Sequence, residues 1–179
     1  MVTKVSPFNT DEYWRALGMF VQQFSEAERE AQVLLWSMTA QDLRVATAIY
    51  KDNLDLVVVI GTLRKLYPLH VADEPSRAIF DAHMAQFEWI RDRRNKLLHN
   101  GATFTEQGAQ VIQKLRGIRN PERPPPSFPM SRGELLAMGQ DIDHIAALCF
   151  VLVVAQIDPT DWKVPRNWGV PDWRYPAQG

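Results

Sequence analysis

Between Glu88 and Gly101 the chain reads Glu-Trp-Ile-Arg-Asp-Arg-Arg-Asn-Lys-Leu-Leu-His-Asn-Gly. Arg91, Arg93, Arg94 and Lys96, with Asn95 and His99, therefore fall within about four turns of a helix. An imidazole titrates near ~6.5 and can give or take a proton close to neutrality. A guanidinium is always charged, and its planar fork matches phosphate oxygens. Residues of these types at this spacing suit proton transfer beside a phosphate. The plainer reading of His99 is a cation near the negative end of a helix, worth about 0.3–1 kcal/mol.

The pattern upstream fixes which way these side chains point. Phe80, Met84, Phe87, Arg91, Arg94 and Leu98 are spaced alternately by four and three, as on one packed helical face. Two arginines thus stand where apolar residues belong, and a buried guanidinium without a partner costs roughly 3–5 kcal/mol. Trp14, Leu17, Val21, Phe24, Glu28, Ala31, Leu35 and Met38 form a second such stripe, interrupted by Glu28. A pair between Glu28 and Arg91 or Arg94 would offset the desolvation of both. The alternative is a solvated Glu28 at the edge of the stripe. Asn100-Gly101 is expected to close the helix, since these residues best tolerate a left-handed cap.

Arg94-Asn95-Lys96-Leu97-Leu98-His99 resembles the R-x4-6-H motif of HEPN (higher eukaryotes and prokaryotes nucleotide-binding) domains, in which a polar residue commonly follows the arginine. Arg93 satisfies the same spacing, so which arginine belongs to the motif stays open. The resemblance covers the helical part of the chain, roughly residues 10–157. It implies an all-α, up-down four-helix bundle and a metal-independent endoribonuclease without cofactor, as found in toxin–antitoxin or phage-defence systems. His99 would be the general acid or base, and Arg94 would stabilise charge on phosphorus as the ribose 2′-hydroxyl attacks. Asn95 would orient His99 or a phosphate oxygen, with Glu28, Arg91 and Arg93 in support. The implied products end in a 2′,3′-cyclic phosphate and a 5′-hydroxyl. The implied partners are RNA, a second copy meeting through the face that carries Arg94 and His99, and a cognate antitoxin protein. A non-catalytic HEPN-like domain that binds RNA, a nucleotide or a protein is the alternative.

Composition constrains this reading. With 179 residues, 46% of them hydrophobic, the chain suits one compact domain with appendages. A formal charge of −1 provides no global field for nucleic acid, so any RNA contact must be local. Cys149 is the sole cysteine, which excludes a disulfide framework. The longest apolar run, residues 145–155, is shorter than the ~20 residues that span a bilayer, so the chain is expected to be soluble and cytoplasmic. His70, His83 and His144 show no ligand spacing and no metal site is expected.

The remaining elements must position the motif. A long helix is expected from residue 10 or 11 to about 38, a short helix or turn at 41–50, and a helix at 53–67 halted by Pro68. Leu56-Val57-Val58-Val59-Ile60 is β-prone, but Leu56, Ile60, Leu63 and Tyr67 continue at helical spacing. Asp73-Glu74-Pro75 marks a helix start. Within an insertion at 101–130, two short strands around Gly108 suggest a hairpin. Lys114, Arg116 and Arg119, with Lys96, could follow phosphates or be a solvated basic run. The proline-dense stretch 121–129 is expected to be extended and to stay out of any sheet. Ser131-Arg132-Gly133-Glu134 is a capping box, opening a helix to about 157 whose second half is apolar nearly all round.

The domain is thus expected to span 1–157, followed by a tail at 158–179. Three W-x-x-P units begin at Trp162, Trp168 and Trp173. Such a tail is extended and rich in ring area, suited to lying along its own domain or a dimer mate; stacking of bases is the alternative.

Overall fold

The computed structural model of the protein describes residues 10–39, 54–105, 108–112, 127–154, 163–165, 168–169 and 171–175. Among these, the chain is mostly helical: α1 (Thr10–Met38), α2 (Leu56–His70), α3 (Glu74–Asn100) and α4 (Arg132–Val154). Between α3 and α4 lie three short strands, β1 (Thr103–Thr105), β2 (Gly108–Ile112) and β3 (Ser127–Pro129), in one antiparallel sheet of order β1-β2-β3. The element expected at 41–50 lies outside the described residues.

Local chemistry sets the helix starts. Asp55 accepts from Val57 N at 3.0 Å to open α2, and Asp73 accepts from Ser76 N at 2.9 Å to open α3. At α4 the capping box closes both ways, with Glu134 N donating to Ser131 Oγ at 3.2 Å and Ser131 N to Glu134 Oε2 at 2.5 Å. The β-prone run 56–60 is helical, because Leu56, Val59, Ile60, Leu63 and Tyr67 all reach the core.

Pro68 does not end α2 as expected; the helix runs through it to His70. A proline inside a helix forfeits its own N–H and crowds the carbonyl four residues back, but leaves the turn beyond it free to close. Val71 N still reaches Tyr67 O at 3.0 Å. Arg77 of α3 donates to Pro68 O at 2.9 Å and Val71 O at 2.6 Å, completing the carbonyls of that last turn.

The buried stripe of α1 is also displaced from the expected one. Tyr13, Ala16, Phe20, Phe24, Ala27, Ala31, Leu34, Leu35 and Met38 are buried, whereas Trp14 is 53% exposed and Leu17 and Val21 are half-buried. α4 lies close to α1 along this line. A Cβ at Gly139 of α4 would meet Gln23 Oε1 of α1 at 2.2 Å.

α1 packs on α2 and α4, and α3 packs on α2, α4 and β2. Glu12 meets Arg132 at 3.7 Å and, eleven residues on in both helices, Gln23 meets Asp143 at 2.7 Å. α1 and α4 therefore run in the same direction. α3 opposes α4, since His83 stacks on His144 and Gln86 reaches Asp141. It also opposes α2, with Tyr67 stacked on Phe80 at 3.9 Å and Arg64 within 3.6 Å of Glu88. Strict up-down alternation thus holds for α2, α3 and α4 and not for α1. Short loops enforce alternation, and α1 and α2 are not joined by a short one.

The expected hairpin is present, but the proline-rich segment does contribute to a sheet. β3 pairs with β2 as Gln110↔Pro129, Val111↔Phe128 and Ile112↔Ser127, and Met130 N donates to Ala109 O at 2.9 Å. β3 is an edge strand, where a proline without an N–H is tolerated.

α4 is, by length and composition, long and apolar enough to cross a membrane. Here its Leu135, Met138, Ile142, Ile145, Leu148, Cys149 and Leu152 are buried within the protein, so it serves as the core helix. Its outer Phe150 and Val154 are 53% and 62% exposed.

α3 ends at Gly101, with φ 73° and ψ 173°, whose N–H reaches Leu97 O at 2.8 Å. That backbone region is almost exclusive to glycine. Gly101→Ala is expected to cost about 1–3 kcal/mol, measured as a lower urea midpoint with unchanged slope.

Candidate functional site

The last turns of α3 carry the motif, and its members part company around the helix. Arg94 turns inward. Its guanidinium lies 5.0 Å from the ring centre of Phe24 on α1 and Nη1 donates to Asn95 Oδ1 at 3.0 Å, while its Nε is buried without a hydrogen-bond partner. Arg91, one turn earlier, likewise buries Nε and Nη1 unpartnered. Both arginines are half-buried on the inward stripe, as the spacing predicted. The stripe ends differently from expectation: Leu97 is buried and Leu98 is 46% exposed.

Arg93 has a different environment. Its guanidinium sits between the rings of Trp89 and Phe128, 4.8 Å and 4.5 Å from their centres. An aromatic face attracts a cation by about 0.5–2 kcal/mol, and here the sheet provides the second face through β3. With both faces covered, Arg93 holds the sheet against α3.

His99 is exposed in the final turn. Five residues after Arg94, it is rotated by about 140° around the helix axis, so one copy does not bring the two side chains to a single face. Asn95 accepts from Arg94 and makes no hydrogen bond to His99. Lys96 pairs with Asp92 at 2.6 Å across one exposed turn. Lys114, Arg116 and Arg119 lie outside the described residues.

Glu28 faces Arg94 without closing on it. No ion pair within 4.0 Å joins Glu28 to Arg91 or Arg94, which corrects the expected direct pair. Burial pushes the Glu28 carboxyl above its ordinary range; the positive charge of Arg94 opposes this and the negative charge of Asp55 adds to it. The shortfall is geometric, because Arg94 lays its guanidinium over Phe24, one turn before Glu28, and turns one nitrogen back to Asn95.

A second polar constellation, unnoticed in the sequence, occupies the groove between α3 and α4. His83 Nδ1 lies 2.7 Å from Ile79 O, and Trp168 Nε1 donates to His83 Nε2 at 3.3 Å. Asp141 accepts from Arg174 N at 3.0 Å and Tyr175 N at 2.9 Å. Gln86 donates to Asp141 Oδ2 at 3.0 Å and also to Tyr175 O. The Tyr175 ring meets Trp89 at 4.7 Å. The described tail residues thus lie along their own domain, with Trp173 meeting His83 edge-on and Trp168 tilted against His144. The sequence did carry a signal for these residues: polar side chains three apart, 83 with 86 and 141 with 144, set among apolar positions of their helices.

Among the described residues no cluster of three or more His, Cys, Asp or Glu could hold a metal ion. Cys149 is fully buried and burial pushes its thiol up to about 12, so it is no nucleophile at neutral pH. Comparisons with family models, curated proteins and solved structures return no match to this chain.

The environment of Glu28 gives a signed expectation. A carboxyl whose folded pKa is raised stabilises the fold below its unfolded value, and that contribution is lost as pH rises through the folded pKa. Glu28→Gln is therefore expected to equal or exceed wild type at neutral pH, by at most about 1 kcal/mol. Breaking a closed buried pair would instead cost about 3–5 kcal/mol. Urea denaturation of the two proteins at neutral and acid pH separates these outcomes.

Proposed function

We propose that the chain is a metal-independent endoribonuclease built on a HEPN-like four-helix bundle, cleaving RNA by attack of the ribose 2′-hydroxyl on the adjacent phosphate. The observation that carries this reading is a half-buried Arg94 with an unpartnered Nε, five residues before an exposed His99 at a glycine-capped helix end. A buried guanidinium nitrogen without an acceptor is a costly arrangement for a purely structural side chain, and the group's fixed charge suits a phosphate.

His99 is the general acid or base in this reading, and Arg94 stabilises the charge that develops on phosphorus. Arg94 is favoured over Arg93 as the motif arginine because both faces of Arg93 are engaged by rings. Since Arg94 and His99 diverge around the helix, a second copy whose own helix end faces this one is the economical way to complete the site. The protein would thus work as a homodimer in the cytoplasm, as a toxin or defence effector with a cognate antitoxin.

One observation favours a second reading, a HEPN-like domain that binds RNA, a nucleotide or a protein without cutting. Asn95 is engaged by Arg94 and not by His99, so no side chain of the motif orients the imidazole.

The test is incubation of the purified chain with mixed cellular RNA in EDTA, followed by analysis of product ends. Wild type is expected to leave 2′,3′-cyclic phosphates, His99→Ala to lose roughly 10²–10⁴-fold in rate, and Arg94→Ala to lose cleavage while Arg93→Ala retains it. RNA bound but uncut by wild type, with affinity falling as salt rises, would establish the binding module instead.

A further inference from the structure

His83 is wholly buried and its two nitrogens have fixed roles. The carbonyl of Ile79 can only accept, so Nδ1 carries the hydrogen at 2.7 Å. In the neutral ring Nε2 is then a lone pair, and it accepts the indole N–H of Trp168 at 3.3 Å. Around this bond, His144 stacks on His83 at 5.2 Å and Trp173 meets it edge-on at 5.0 Å. Next to it, Asp141 takes the main-chain N–H groups of Arg174 and Tyr175, and Gln86 donates to the carbonyl of Tyr175. The groove thus reads two indoles and three backbone groups of an extended segment; of its polar atoms His144 Nε2 is buried without a hydrogen-bond partner.

We propose that the groove between α3 and α4 is a peptide-binding site whose ligand is the chain's own tail, held at Trp168, Trp173, Arg174 and Tyr175, and that it holds this tail only while His83 is neutral. A proton on Nε2 would turn the acceptor into a donor aimed at another donor. It would also place a positive charge in the core against the face of His144.

The groups facing His83 act in both senses. On its own helix are the Ile79 carbonyl and the uncharged Gln86; from α4 come His144 and Asp141; from the tail come the two indoles and Arg174. Burial lowers His83 to about 4, with the Ile79 bond opposing and His144 adding to the effect. Burial also lowers His144, where the charge of Asp141 opposes and that of Arg174 adds. In the released state an uncovered imidazole returns toward the ordinary ~6.5. Release therefore binds protons that docking excludes. Docking is complete above the ordinary value, weakens by up to tenfold per pH unit on the way down, and levels off below about 4.

The test uses the full chain. Amide hydrogen exchange across the tail, corrected for its intrinsic pH dependence, is compared at about pH 7.5 and about pH 4.5 for wild type and His83→Gln, with far-UV circular dichroism alongside. The glutamine carbonyl can accept from Trp168 and does not titrate. Tail protection in wild type is expected to fall by on the order of tenfold or more in acid, with helical signal intact, and to stay nearly level in His83→Gln. Three results would overturn the proposal: protection retained by wild type in acid, equal loss in His83→Gln, or helical signal lost in step with the tail.

Should His83→Gln loosen the tail at neutral pH, reciprocity supplies the second measurement. Asp141→Asn weakens the main-chain contacts, so the His83 pKa followed by NMR must rise toward the ordinary value; an unchanged pKa would also overturn the proposal. Neither measurement depends on RNA cleavage, so it stands or falls apart from the nuclease reading.

Discussion

The cost of placing polar groups inside α3 governs the form of everything around it. This helix is apolar at Phe80, Met84, Phe87 and Ile90, yet it also directs His83, Gln86, Arg91, Arg93 and Arg94 toward neighbours. Each needs an environment that replaces water, at a penalty of several kcal/mol where none is found. The appended segments supply those environments. Phe24 of α1 covers Arg94, Phe128 of the sheet covers Arg93, and the tail covers His83 and Gln86. Sheet and tail are thus covers for one helix.

The means of cover differ with the charge. For Arg93 and Arg94 the cover is largely aromatic, which lets a guanidinium remain charged while it sheds water on its faces. For His83 the cover is a hydrogen bond that demands the neutral ring. Asp141 lies between these cases, a buried carboxylate retained because three N–H donors converge on it. The two arginines left with unpartnered nitrogens, Arg91 and Arg94, are where covering stops short. Arg94 lies over Phe24 of α1, where its charge acts on Glu28, whose carboxyl is itself pushed by burial toward its neutral form.

What could be read from the sequence was the local chemistry: the caps at Asp73 and Ser131, the glycine stop at 101, the hairpin, and the helical nature of the valine run. What could not be read was which side of each helix meets which neighbour. On α1 the large residues Trp14, Leu17 and Val21 looked like the core. The buried line runs instead through Tyr13, Ala16, Phe20, Ala27 and Leu34, set by where the neighbouring helices lie, which hydrophobicity alone cannot reveal. Pro68 misled because its rescue comes from Arg77, beyond the end of its own helix. Pro129 misled because edge position, a tertiary property, decides whether a missing N–H matters. The motif's residue types were legible; the divergence of Arg94 from His99 needed the actual environment of each side chain.

Tail and motif share α3 yet remain separable. Tyr175 touches Trp89, and Trp89 covers one face of Arg93, the residue before Arg94. A chain of contact therefore exists from the tail groove to the motif. Its last step is weak. Arg93 keeps its second face on Phe128 when Trp89 loses Tyr175, and Arg94 is set by Phe24 and Asn95, which no described residue of the tail contacts. Coupling travels through elements that have two arrangements, and Arg94 is held by groups that keep one. Undocking the tail would uncover Trp89 and the polar groove while leaving the motif arginine in place. The two sites are then independent uses of one helix, one facing α1 and the other facing α4.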